Sequence, residues 1–115
     1  KMAILSTLVN NTPGAISPTL TSDIAVTVMM FCNLNAPDPL DDTVGRQFLD
    51  IYIVASGGIP DTVLGENKIA NQIPVEAGDT FTFSAERLVL SSGDRVWAST
   101  TDANQVSVTI SYVVI

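Results

Sequence analysis

Apolar and polar residues alternate with a period of two along much of this chain. Residues 105–115 show the pattern most clearly, because every second residue from Val106 to Val114 is apolar while most residues between them are Ser or Thr. Successive side chains of a β-strand point to opposite faces, so the pattern predicts a strand with one buried face. The same reasoning predicts further strands at 2–9, 24–32, 49–55, 68–75, 79–84, 87–90 and 95–100.

The segment 24–32 is apolar on both of its predicted faces. One face carries Ile24, Val26, Val28, Met30 and Cys32, and the other carries Ala25, Thr27, Met29 and Phe31. A strand of this kind is typical of the middle of a sheet, or of a position where a loop or a partner covers one face. We expect the first face to point into the core, which leaves Met29 and Phe31 for contact with another molecule.

Turn-forming segments separate the predicted strands. Glycines at 56–58, 77–79 and 92–94 suit tight turns, and the proline-containing segments 10–22 and 35–45 do not continue a strand. No stretch keeps the apolar spacing of an amphipathic helix. The chain is therefore predicted to be all-β.

The fold predicted from these elements is an antiparallel β-sandwich, of jelly-roll or Ig-like type, with about seven or eight short strands. A small β-barrel is the alternative. We expect residues 23–115 to form the body of a single domain. Residues 1–22 are expected to form an N-terminal strand or arm in contact with another molecule.

Composition limits the classes of partner. Only 15% of the 115 residues are charged, against about a quarter in an average protein, while 46% are hydrophobic. This predicts that partners cover part of the surface. The net charge of −7 includes only five basic residues, and they are scattered along the chain. We therefore expect no binding to nucleic acid or to anionic membranes.

The residue types needed for most catalysis are missing. The chain has no histidine and a single cysteine, Cys32, so it offers neither a Ser-His or Cys-His nucleophile pair nor a thiolate metal site. We predict no catalytic residue, no cofactor and no enzyme activity, with Cys32 as a small buried hydrophobe. Two weak alternatives are a calcium site at Asp38, Asp41 and Asp42 and a hydrolytic carboxylate pair at Asp50 and Glu86.

Several short segments follow one another in a distinctive order. They are Phe-Leu-Asp-Ile-Tyr-Ile-Val-Ala-Ser-Gly-Gly at 48–58, Asn-Lys-Ile at 67–69, Ile-Pro-Val at 73–75, Ala-Gly-Asp-Thr at 77–80, Arg-Leu-Val-Leu at 87–90, Gly-Asp-Arg-Val at 93–96 and Val-Ser-Val-Thr-Ile-Ser-Tyr at 106–112. This order resembles small β-sandwich structural proteins from virions of tailed bacteriophages, many of them marine or cyanobacterial. The likeness covers residues 3–115, with 35–45 as an insertion, and it implies a virion component without enzymatic activity.

The resemblance implies a capsid decoration (cement) protein that stabilises the shell. Its expected partners are the major capsid protein and copies of itself, as a homotrimer. It would be made in the host cytoplasm and sit on the capsid exterior of the virion. A neck, tail or fibre component is an alternative.

A host-glycan or receptor-binding module around Trp97 is an alternative of another class. For the predicted protein interface, the candidates are mainly apolar residues of the N-terminal segment, of the second face of 24–32 and of exposed positions. They are Met2, Ile4, Leu8, Pro13, Ile16, Met29, Phe31, Leu40 and Trp97.

Overall fold

The computed structural model describes residues 2–17 and 22–115, and within these ranges the chain forms β-strands and no helix. The prediction of an all-β domain is confirmed. No described residue belongs to a helix long and apolar enough to cross a membrane. The strands are β1 (Met2–Val9), β2 (Gly14–Ala15), β3 (Ile24–Asn33), β4 (Gln47–Val54), β5 (Lys68–Val75), β6 (Thr80–Leu90), β7 (Arg95–Ser99) and β8 (Val106–Val114).

The strands form two four-stranded antiparallel sheets. Sheet I has the order β1-β8-β3-β6 and sheet II the order β2-β7-β4-β5. The first four strands pair in reverse order with the last four, as β1 with β8, β2 with β7, β3 with β6 and β4 with β5. One long hairpin has thus rolled into two layers, which is the jelly-roll arrangement. The predicted β-sandwich is confirmed. Of the two topologies that the sequence allowed, jelly-roll and Ig-like, the strand order is that of the jelly roll.

The core lies between the two sheets and takes side chains from every strand except the two-residue β2. Its largest fully buried side chains include Phe31, Leu49, Ile51, Leu90 and Ile110. Burying a side chain of this size contributes about 1.5–3 kcal/mol to stability. The C-terminal strand behaves as its alternation predicts, since Val106, Val108 and Ile110 are all buried.

Strand β3 departs from simple alternation at Thr27. The registers of β3 with both β6 and β8 shift between Val26 and Val28, which marks a β-bulge. An extra residue moves all later side chains to the other face of the strand. Met29 and Phe31 are therefore 0% exposed, whereas Met30 is 41% exposed. The prediction that Met29 and Phe31 form an interface is wrong, because both lie in the core.

Two other details differ from the predicted elements. The segments predicted as separate strands at 79–84 and 87–90 are one strand, β6. The segment 10–22, predicted to be irregular, contains the two-residue strand β2, which pairs with β7 through Gly14 and Ala15.

The predicted N-terminal arm is built into the sandwich over its described residues. Strand β1 pairs with β8 along its whole length. Ile16 is buried, and its backbone N–H donates to the Val96 carbonyl at 2.9 Å. Ile16 is therefore a core residue, and its prediction as an interface residue is wrong. Lys1 and residues 18–21 of the arm lie outside the described residues.

Candidate interaction surfaces

Residues 55–67, the β4–β5 loop, expose large apolar side chains at one end of the sandwich. Ile59, Val63 and Leu64 are 77%, 89% and 85% exposed. Single exposed apolar residues are ordinary on protein surfaces, but a group of them within one loop makes that loop a candidate interaction site.

Hydrogen bonds hold the β4–β5 loop in one shape. Asp61 Oδ1 accepts the backbone N–H groups of Val63 at 3.1 Å and Leu64 at 2.9 Å. Asn67 Oδ1 accepts the Asp61 N–H at 2.8 Å, and Asn67 Nδ2 donates to the Ile59 carbonyl at 2.9 Å. The Leu64 N–H, more than any other group, lowers the pKa of Asp61. The apolar side chains are thus held outward by a defined network.

Residues 34–46, the β3–β4 loop, also expose apolar side chains and are held by hydrogen bonds to aspartates. Leu34, Leu40 and Val44 are exposed, Leu40 to 94%. Asp38 Oδ1 accepts the Leu40 N–H at 2.9 Å. Asp41 Oδ1 accepts both the hydroxyl of Thr43 at 2.7 Å and its N–H at 2.9 Å. The Thr43 hydroxyl is the main cause of the lowered pKa of Asp41.

The two loops lie at opposite ends of the molecule. The β3–β4 loop enters strand β4 and the β4–β5 loop leaves it. Eight residues of extended strand separate the loops by about 26 Å at roughly 3.3 Å per residue. The domain therefore offers an apolar contact at each end.

The structure does not assemble the calcium site that the acidic loop suggested. Asp38 and Asp42 line a cleft of about 300 Å³ together with Glu76 and Asp79. Among residues 2–17 and 22–115, however, no group of three or more acidic, cysteine or histidine side chains is arranged to hold a metal ion. Asp38 and Asp41 instead bind backbone N–H groups of their own loop.

The outer surface of sheet I carries no charge among the side chains that the structure describes. We call it the uncharged face. Its exposed apolar residues are Ile4, Leu8, Met30 and Val89, set among Ser and Thr. The residues align by backbone register across β1, β8, β3 and β6 in four rows: Leu8-Ser107-Cys32-Thr80, Ser6-Thr109-Met30-Thr82, Ile4-Ser111-Val28-Ser84 and Met2-Val113-Ala25-Val89.

The outer surface of sheet II is polar and charged by contrast. Asp50 accepts hydrogen bonds from the backbone and side-chain amides of Gln72, both at 2.8 Å, and lies 3.5 Å from Lys68 Nζ. Strand β6, which contains Glu86, belongs to the other sheet. The Glu86 side chain lies outside the described part of the structure, so the hydrolytic pair with Asp50 stays a prediction.

Trp97 lies on this outer surface of sheet II, on the side of β7 opposite the buried Val96 and Ala98. It lines a cleft of about 280 Å³ beside Gly57, Gly58 and Arg95. Its cross-strand neighbour Tyr52 is only 2% exposed. The cross-strand pair of Trp97 and Tyr52 therefore does not present two exposed rings, as a sugar-binding platform would.

The predicted interface residues divide into three groups. Ile4 and Leu8 lie on the uncharged face, Leu40 is in the β3–β4 loop, and Trp97 lines the cleft of sheet II. Pro13 is half-buried, and the Met2 side chain lies outside the described part of the chain. Ile16, Met29 and Phe31 are buried in the core.

Sequence reasoning missed the β4–β5 loop patch. The signal is present as Ile59, Val63 and Leu64 within a segment rich in turn residues, Gly-Gly-Ile-Pro-Asp-Thr-Val-Leu-Gly at 57–65. A turn-rich segment places its residues at the surface, so large apolar residues within it are exposed.

No protein-family model matches this sequence, and no curated protein matches it. Among solved structures, the chain is similar to one described under the words "Bacillus endospore appendages form a novel family of disulfide-linked pili". The two are 17% identical with a TM-score of 0.44, over 100% of this chain and 87% of that one. This likeness is too distant to bear on function.

Proposed function

We propose that this chain is a non-enzymatic structural protein that binds other proteins in a repeating assembly, and specifically a capsid decoration protein on the exterior of a tailed-phage virion. The observation that supports it most is the pair of braced loops that hold Leu40, Val63 and Leu64 in solvent at opposite ends of a rigid sandwich. The proposed partners are the major capsid protein and copies of this chain.

The energetics of the loops favour binding. Moving a large apolar side chain from water into a contact contributes about 1.5–3 kcal/mol. Because hydrogen bonds already fix the β4–β5 loop, docking there requires little further ordering of the chain. On a lattice of identical sites, several modest contacts per copy combine into strong attachment.

Charge also favours a protein partner over nucleic acid. The chain has twelve acidic and five basic residues, so a phosphate backbone would be repelled. Jelly rolls recur in viral structural proteins, but the fold hosts many functions. The proposal therefore depends on the surfaces described above and on the resemblance of the sequence.

Cryo-electron microscopy of the source particle tests this proposal. We expect density for the jelly roll on the shell, in hundreds of copies per particle. Density only at the neck, tail or fibres, in far fewer copies, would support the alternative of a tail-associated structural protein. Absence of the chain from the particle would reject both.

Glycan binding is a second candidate because Trp97 lines a cleft of about 280 Å³. If it is correct, Trp97→Ala abolishes binding on a glycan array while Phe48→Ala, which changes an exposed aromatic of the neighbouring strand β4, leaves it intact. No glycan binding by the unmodified protein would reject this candidate.

A further inference from the structure

The free edges of the two sheets are not equally protected against pairing with another strand. A free strand edge presents unpaired backbone N–H and C=O groups, and proteins block it with charge, proline, bulges or a very short strand. The edge strands of sheet I are β1 and β6, and those of sheet II are β2 and β5.

Three of these edges are interrupted. Strand β5 contains Lys68 and Pro74, and Gln72 adopts a positive φ of 51° where the pairing with β4 shifts. Strand β2 is only two residues long. The register of β6 with β3 shifts between Ser84 and Leu88. Each feature disfavours a continuous ladder with a further strand.

Strand β1 has none of these protections along its described length. Its sequence, Met-Ala-Ile-Leu-Ser-Thr-Leu-Val, contains no charged residue, proline or glycine. Its eight residues pair with β8 without any shift of register. Among the described residues, this edge is therefore continuous in register, uncharged and not paired with a strand on its outer side.

We infer that β1 pairs antiparallel with β1 of a second copy of this chain, which joins two copies of sheet I into one continuous eight-stranded sheet. The inference deepens the proposed function, on which it rests for its biological setting, by naming a contact between copies. Two copies related by a two-fold axis use the same strand twice, so one unprotected edge is sufficient.

The sequence of β1 fixes the register of this contact. Directly opposed residues of antiparallel strands lie on the same face of the sheet. In a two-fold pair of β1 strands, one residue must therefore lie opposite its own copy, with the axis midway between them. With the axis at Ser6, the exposed Ile4 of each copy lies opposite Leu8 of the other. With the axis at Leu5, Ile4 would lie opposite Ser6 instead. The Ser6 register is preferred because it covers both exposed aliphatic side chains with each other.

The distribution of charge also favours a contact at strand β1. Each copy carries a net charge of −7, so most approaches bring like charges together. The rows of the uncharged face that cross β1 carry no charge. Two copies meet there without placing acidic groups against one another.

Disulfide trapping tests the register. In a Cys32→Ser background, Ser6→Cys places two cysteines opposite each other at the axis, where Cα atoms are about 4.5–5.5 Å apart and within the disulfide range. We expect mild oxidation to give a covalent dimer. The matched control is Ser84→Cys, an exposed serine of the other edge strand on the same face. A failure to cross-link at Ser6, or equal cross-linking at both positions, would overturn the inference.

Light scattering tests the contact without a new thiol. We expect the unmodified protein to dimerise, Ser6→Lys to raise the dimer dissociation constant at least about tenfold because like charges oppose across the axis, and Ser84→Lys to have no effect. Circular dichroism checks that each variant is folded. A monomeric unmodified protein at high concentration would overturn the inference. Attachment to the capsid, measured separately, would still support the proposed function.

Discussion

Individual polar side chains decide the shape of the apolar surfaces in this domain. Asn33 is 1% exposed, and its Nδ2 donates to the carbonyls of Gly45 and Val75, each at 2.8 Å. Its Oδ1 accepts the N–H of Asn35 at 3.0 Å. One buried amide thus ties both ends of the β3–β4 loop to strand β5. A hydrogen-bonded amide is tolerated in such a position because its polar atoms have partners.

Asn33→Ala is expected to lower the free energy of unfolding by about 2–4 kcal/mol, because it removes the three hydrogen bonds of a buried amide, each worth about 0.5–1.5 kcal/mol. The matched variant Asn35→Ala removes an amide that bonds the same Gly45 carbonyl from a half-buried position, and should cost less than about 1.5 kcal/mol. Urea denaturation measures both. Equal losses would show that Asn33 has no special role.

The pH dependence of the loops follows from Asp41 and Asp61, whose pKa values lie below the ordinary 3.8 because loop hydrogen bonds stabilise the ionised forms. A carboxyl with a lower pKa in the folded state stabilises that state above the unfolded pKa, and this contribution disappears as the pH falls through the folded pKa. Both loops should keep these hydrogen bonds from neutral pH down to the ordinary carboxyl value, and lose them as the pH falls further through the lowered folded pKa.

Amide NMR signals of Thr43 and Leu64 measure this effect. We expect each to titrate with an apparent pKa below 3.8. In the Asp61→Asn variant, the Leu64 titration should disappear and the Thr43 titration should remain. An apparent pKa at or above the ordinary carboxyl value would contradict the assigned hydrogen bonds.

At the scale of elements, the bulge in β3 determines which residues of the central strand face the core. Ile24 and Val26 are buried before the bulge, and Met29 and Phe31 after it. The shift leaves Met30 and Cys32 on the uncharged face. Without the bulge, Met30 would point into the core and Met29 would face solvent.

Alanine substitutions at the two neighbouring methionines test this assignment. Met29→Ala should destabilise the fold by about 2–5 kcal/mol because it leaves a cavity in the core. Met30→Ala should change stability by no more than about 0.5 kcal/mol because the side chain is exposed. Thermal unfolding of the pair distinguishes them directly. The reverse order of stabilities would place the bulge elsewhere.

The elements also show how far the sequence can be interpreted. Strand β8 follows from alternation because burial of one face imposes a period of two, and strands β1 and β5 have the bounds predicted for them. The bulge at Thr27 could not be predicted, since a strand apolar on both faces fits either register. Strand β2 is too short to show any period. To predict that Ile59, Val63 and Leu64 are exposed, the turn residues and the apolar residues of this loop must be considered together.

At the scale of the whole molecule, the distribution of charge and apolar surface fits the proposed role of a component that is contacted on several sides. The molecule measures 47 × 33 × 21 Å. One broad surface is uncharged among its described side chains, the opposite one carries Asp50 and Lys68, and each end presents a braced apolar loop. A domain of this design can contact a support at its ends and a second copy at a sheet edge.

Reattachment of the purified protein to capsids stripped of it tests the central claim, that the braced apolar loops bind the assembly. The Val63→Asp, Leu64→Asp double variant should bind at least about tenfold more weakly than the unmodified protein, because each lost apolar contact is worth more than about 1 kcal/mol. Thr62→Asp, an exposed polar position of the same loop, should bind normally. Unchanged binding by the double variant, with its fold intact, would contradict the claim.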